Sequence, residues 1–197
     1  MGKESNLGVA DPGNTEGMFS ILFVCSGNRC RSPYAHAVAA ALSPDWVEVS
    51  SAGTLDIPGA RPPAELLAVA EDHNVDLSAF RSVPLAEANP QGADLIVGMT
   101  LDHVASGVVN GGANPEKSFT ITELVRLLEL SRPKPTHSPE EAAEVVTRAH
   151  ATRVQQKTFV PAGDIEDPMG GPRKAYEAMA NRLDGLCRRM VSGMGWG

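Results

Sequence analysis

The chain has 197 residues, and its 17 Lys and Arg against 24 Asp and Glu give a formal net charge of −7. At 42% hydrophobic and 21% charged it can bury a core of its own, which excludes disorder along its whole length and fits one domain. The acidic balance argues against a partner bound mainly through a phosphate backbone, so no nucleic acid is expected.

Residues 1–18 lack an apolar period and read as a flexible tail. Phe19 to Val24 is a short continuous apolar run, the pattern of a strand buried on both faces of a parallel sheet. Ser32 and Pro33 then supply an N-cap and a first-turn proline for an alanine-rich helix from Tyr34 to Leu42. Further strands are expected at Trp46 to Ser51, Asp94 to Val97 and Ser118 to Ile121. Helices are expected at Pro62 to His73, near Leu85 to Ala88, from about Leu101, and at Glu123 to Leu130. Ser131 to Pro139 is broken by prolines, and Glu140 to Arg153 then has a helical pattern, so 131–154 reads as a helical insertion. A last helix follows Pro172, with Tyr176, Met179, Ala180, Leu183, Cys187 and Met190 on one stripe. Strands alternating with helices predict an α/β fold of three layers. Its four parallel strands are expected in the flavodoxin-like order 2-1-3-4, with helices on both faces and residues 19–197 in one domain.

The loop Cys25-Ser-Gly-Asn-Arg-Cys-Arg-Ser32 lies between the first strand and its helix. Main-chain N–H groups ahead of a helix N-terminus suit a tetrahedral oxyanion, so Ser26, Gly27, Asn28, Arg29, Cys30, Arg31 and Ser32 are the expected phosphate-binding residues. Gly27 and Asn28 tolerate the left-handed backbone that a tight loop needs. Arg31 adds a planar fork for two phosphate oxygens. The Lys-Ser/Thr ending of a nucleotide-binding loop is absent. A thiol at the first position, beside a helix N-terminus and an arginine, is favoured as thiolate, which makes Cys25 a nucleophile with Ser32 placed to hydrogen-bond it. A departing oxygen also needs a proton. Asp167, followed by Pro168, is one candidate, although Asp-Pro is commonly only a turn, and Asp164 and Glu166 are rivals.

Three cysteines are too few for a disulfide framework and have no zinc spacing, which fits a reducing cytoplasm and calls for no metal or cofactor. No apolar run approaches the roughly 18 residues of a membrane span, and no membrane partner is expected. The histidines His36, His73, His103, His137 and His150 share no ligand spacing and read as helix-face or loop residues.

Phe23 to Pro33 (FVCSGNRCRSP) resembles the signature of the low-molecular-weight protein tyrosine phosphatases, and Asp167 to Gly171 (DPMGG) resembles their late Asp-Pro-aromatic loop. Ser51 to Thr54, Asp76 to Ser78 and Asp94 to Met99 fall between them in family order. The resemblance implies hydrolysis of phosphotyrosine, in proteins or as small aryl phosphates, through a phosphocysteine without a cofactor. Cys25 would be nucleophile, Arg31 phosphate clamp and Asp167 general acid. It further implies that Asn28 stabilises the loop with Ser51 beside it, and that Cys30 can trap oxidised Cys25 as a disulfide. Met169 stands at the substrate entrance where the family has Tyr or Phe, Phe80 where many members have His, Val83 for a basic residue and Thr100 for Asp. The alternatives are a thiol-dependent arsenate reductase on the same scaffold and a phosphate- or phosphotyrosine-binding module without turnover.

Overall fold

A computed structural model describes residues 17–131, 134–156 and 163–196. The expected tail, apart from Gly17 and Met18, lies outside the described residues. The chain runs through β1 (Phe19–Cys25), α1 (Arg31–Leu42), β2 (Val47–Gly53), α2 (Ala64–Asp72), β3 (Leu95–Gly98) and α3 (Leu101–Val109). It continues through β4 (Ser118–Thr120), α4 (Ile121–Ser131), α5 (Pro139–Gln155) and α6 (Arg173–Gly193). Leu85–Glu87, expected as a helix, is a single 3-10 turn.

The strands form one sheet in the order β2-β1-β3-β4. Every pair is parallel, with Cys25 opposite Gly53 and Val24 opposite Gly98. Apart from Ser20, whose N and Oγ donate to Asp94 Oδ2, β1 is apolar because both of its faces are covered. Phe19, Ile21, Phe23 and Cys25 enter the larger core with residues of α1, α2, α4, α5 and α6. Leu22 and Val24 enter a smaller cluster on the opposite face with Ala52, Leu85, Ile96 and Ala113. There α3 comes close, a Cβ at Gly107 reaching 3.5 Å from Ile96 Cγ2.

The segment read as an insertion carries α5. Ala142, Val145, Val146 and Ala149 join the larger core, and Arg153 Nη1 donates to Ser118 O at 2.8 Å while its guanidinium lies 4.3 Å from the centre of the Phe119 ring. Packed core residues and a cation over an aromatic face anchor this helix to the end of the sheet.

Sheet order turns at β1, so the C-terminal ends of β1 and β3 flank the crevice where doubly wound sheets bind ligands. Met99 N donates to Val24 O at 3.0 Å, and Ile165 N donates to Met99 O at 2.9 Å. These bonds dock the loop carrying Asp167 onto the residue that follows β3.

Candidate active site

Cys25 ends β1 and is 2% exposed, with Ser32 Oγ donating to its Sγ at 3.0 Å. Ser32 is positioned by Asn28, whose Nδ2 donates to Ser32 Oγ and to Ser51 Oγ, each at 2.9 Å. Asn28 Oδ1 in turn accepts from Val83 N at 2.8 Å. Asn28 is fully buried at φ 48, a left-handed backbone that Asn adopts more readily than other residues with a Cβ. One side chain thus pins the loop to β2, to the Val83 main chain and to the hydroxyl on the thiol.

Gly53, opposite Cys25, makes this approach possible. A Cβ there would lie 2.8 Å from Ser26 O and 3.0 Å from Asn28 N, both main-chain atoms that cannot yield without moving the loop. The loop is further tied down where Thr54 N donates to Cys25 O and Leu55 N to Ser26 O.

Arg31 is the first residue of α1 and is 4% exposed. Its Nη1 donates to Ile165 O at 3.1 Å, and its Nη2 to Ser26 Oγ at 3.0 Å and to Asp167 Oδ2 at 2.5 Å. Its Nε is buried without a hydrogen-bond partner. An orphaned guanidinium donor is costly, and an anion in the loop would satisfy it. Asp167 Oδ1 accepts from Met169 N at 3.1 Å, which fixes the carboxylate over the arginine. Of the three acids considered for proton transfer, Asp167 is the one joined to Arg31; Glu166 is exposed, and Asp164 offers its main-chain oxygen to Arg182.

Around the loop, Arg29 Nε donates to Arg61 O at 2.8 Å, and Ile57 Cδ1 approaches Gly27. Leu55, Ile57 and Met169 are exposed apolar side chains. Leu55 and Ile57 lie beside the loop and Met169 beside Asp167, so these apolar groups and the Arg29 cation neighbour the loop.

The other thiols differ from Cys25 in surroundings. Burial, helped by Asp167 and Cys25, pushes Cys30 up to about 12, so it is a protonated thiol at neutral pH. Burial likewise raises Cys187, whose Sγ contacts Ala35 O at 3.8 Å inside the packing of α1 on α6.

Two expectations need correction. Ser32 is not an N-cap: α1 begins at Arg31, Cys30 takes the cap position without a side-chain bond, and the Ser32 hydroxyl is committed to Cys25. Gly27 does not adopt the left-handed backbone; Asn28 does. His103, expected on a helix face, does lie on α3, and it is buried with Nε2 2.9 Å from Ser26 Oγ. The departures at Val83 and Phe80 are also explained. Val83 acts through its main chain, and Phe80 packs edge-on against His36, whose Nδ1 lies 3.4 Å from Ser51 Oγ.

Comparison with known proteins bears on this site. A sequence model of the family described as low molecular weight phosphotyrosine protein phosphatase matches residues 20–148. The protein-arginine-phosphatase of Geobacillus stearothermophilus is 27% identical over 173 residues, covering 88% of this chain and 94% of its own. That of Bacillus subtilis strain 168 is 30% identical over 175 residues, covering 87% and 93%. Among solved structures, the low molecular weight protein tyrosine phosphatase from T. tengcongensis matches with a TM-score of 0.64 at 28% identity, over 88% of this chain and 98% of its own.

Proposed function

The chain belongs to the low molecular weight phosphotyrosine protein phosphatase family, and from that membership we propose that it hydrolyses phosphotyrosine in proteins, and small aryl phosphates, through a phosphocysteine on Cys25. The observation that carries the reading is the buried Arg31 guanidinium, its Nε without a partner, on the loop whose thiol accepts a hydrogen bond from Ser32.

In the first half-reaction the Cys25 thiolate attacks phosphorus. The S–P bond forms as the P–O bond to the leaving group breaks, and Asp167 in its acid form gives its proton to the departing oxygen. Arg31 and the loop N–H groups hold the nonbridging oxygens. In the second half-reaction water attacks phosphorus and passes a proton to the Asp167 carboxylate. The S–P bond breaks, orthophosphate leaves, and the hydrogen bond from Ser32 stabilises the returning thiolate. The proton that Asp167 gave up is thereby restored.

Three exposed apolar groups near the loop and Asp167 support an uncharged ring as the group next to phosphate. A second reading is favoured by the two curated relatives named protein-arginine-phosphatase: the substrate carries phosphoarginine, and its guanidinium would then lie beside Arg29. Rates on matched phosphotyrosine and phosphoarginine peptides separate the two. A higher kcat/KM for phosphotyrosine is expected; the reverse order overturns the substrate assignment while leaving the chemistry in place. Arsenate reduction gains no support, because Cys187 is packed inside the core.

Cys30 is proposed as the thiol that captures oxidised Cys25 as a disulfide, and the three free buried cysteines fit a cytoplasmic location. Among the described residues no helix is long and apolar enough to cross a membrane.

A further inference from the structure

Ser26, the residue after the nucleophilic thiol, has its hydroxyl oxygen approached by two side-chain nitrogens. Arg31 Nη2 donates to Ser26 Oγ at 3.0 Å, and His103 Nε2 lies 2.9 Å from it. Thr100 settles which imidazole nitrogen carries the proton. Its main-chain N–H donates to His103 Nδ1 at 3.1 Å, so Nδ1 presents its lone pair and the ring hydrogen sits on Nε2. Thr100 Oγ1 accepts from His103 N at 3.4 Å, completing a cap that locks the ring to the start of α3. Burial and the neighbouring Arg31 lower the His103 pKa to about 4, which keeps the ring neutral at physiological pH.

A serine hydroxyl accepts two hydrogen bonds and donates one. With His103 and Arg31 filling both acceptor positions, the Ser26 hydrogen must point away from both. Cys25 is its chain neighbour, and Arg31 Nη2 bridges Ser26 and Asp167, so this hydroxyl lies on the side of the phosphate clamp opposite the carboxylate.

We propose that Ser26 is an additional catalytic donor, its hydroxyl hydrogen directed at a nonbridging oxygen of the phosphoryl group, and that His103, fixed by Thr100, is the positioning residue that aims it. The inference rests on reading the loop as a phosphatase site. Arg31 gains as well, since the serine oxygen that orients its Nη2 is itself held by His103. A helix-face histidine 77 residues away in sequence thereby becomes part of the phosphate cradle.

The test measures two quantities on wild type, Ser26→Ala, Ser26→Thr, His103→Phe, His103→Gln and the Ser26→Ala/His103→Phe double variant. One is inorganic phosphate affinity by calorimetry, the other kcat and KM on an aryl phosphate, with thermal melts reporting folding. Loss of one hydrogen bond to a charged group predicts a roughly 10- to 100-fold fall in phosphate affinity and in kcat/KM for Ser26→Ala. Ser26→Thr should recover most of it. His103→Phe should match Ser26→Ala, and His103→Gln, which keeps a donor, should recover part of the loss. In the Ser26→Ala background His103→Phe should change neither quantity further, because its effect runs through the missing hydroxyl. Ser26→Ala within twofold of wild type on both measures overturns the proposal, as does a His103→Phe effect that persists undiminished without the Ser26 hydroxyl. A wild type that binds phosphate but turns over no phosphomonoester defeats the phosphatase reading alone, and the binding data then decide the role of Ser26.

Discussion

Arg31 Nη2 donates to Asp167 Oδ2 at 2.5 Å, joining a guanidinium 5% exposed to a carboxylate 44% exposed. The guanidinium edge that would clamp phosphate is therefore shared with the group that would protonate the leaving oxygen. On the proposed mechanism, substrate would draw the arginine toward itself and free Asp167 to serve the departing oxygen.

Replacing Asp167 by Asn should separate the two roles. Inorganic phosphate should bind roughly fivefold more tightly, as a competing negative charge worth about 1 kcal/mol is removed. Turnover should fall by about 10²- to 10³-fold, most for poor leaving groups. Calorimetric titration and a leaving-group series check both halves, and weaker phosphate binding would contradict the competition.

Gly53 should tolerate no side chain. In Gly53→Ala the new methyl would meet Ser26 O at 2.8 Å, and the loop must retreat. A displacement of this kind is expected to lower kcat/KM by about 10²-fold. The accompanying change in melting temperature should be small, because β2 keeps its pairing with β1.

Asn28 combines a left-handed backbone with three side-chain hydrogen bonds. Asn28→Ala should destabilise by about 3 kcal/mol, from stranded buried partners and a poorer backbone fit. Asn28→Gly, which accepts φ 48 freely, should be about 1 kcal/mol more stable than the alanine variant yet equally impaired in turnover. Urea unfolding beside steady-state kinetics checks the pair of outcomes.

Acid should weaken the fold through two imidazoles, the half-buried His36 and the buried His103. Burial lowers His36 to about 4, and burial with Arg31 does the same for His103, against ~6.5 in an unfolded chain. As pH falls from about 6.5 towards 4 the unfolded chain takes up protons that the folded one refuses, so stability declines across that window. Above it these groups are neutral in both states and add no slope. The urea midpoint followed from pH 8 to pH 4 should drop only on the acid side. His36→Gln should make the drop shallower, and an unchanged acid limb would contradict this source.

The residues that could be read in the sequence were those whose local pattern and tertiary role coincide. The run Phe19 to Val24 is apolar apart from Ser20 because β1 is covered on both faces, and strand-helix alternation carried the sheet order with it. Ser32 misled because Ser-Pro before a helix has the form of a cap, whereas this hydroxyl is taken by a thiol seven residues earlier. His103 had no local signal, since its partner lies on another strand's loop and only the packing of α3 brings them together. Gly53 was visible as part of Ser51 to Thr54, but its reason, a loop passing within van der Waals reach, exists only in three dimensions. Asp167 needed the family resemblance, because Asp-Pro by itself has the form of a turn.

The central claim is that catalysis passes through a covalent bond to Cys25. Acid-quenching the enzyme during turnover of an aryl phosphate and mapping the phosphoryl group by mass spectrometry tests it most directly. The predicted result is a single phosphoryl group on the Cys25 peptide, more abundant in Asp167→Asn when a good leaving group is used, and absent together with all turnover in Cys25→Ser. Turnover that persists in Cys25→Ser, or a label found on another residue, would contradict the account.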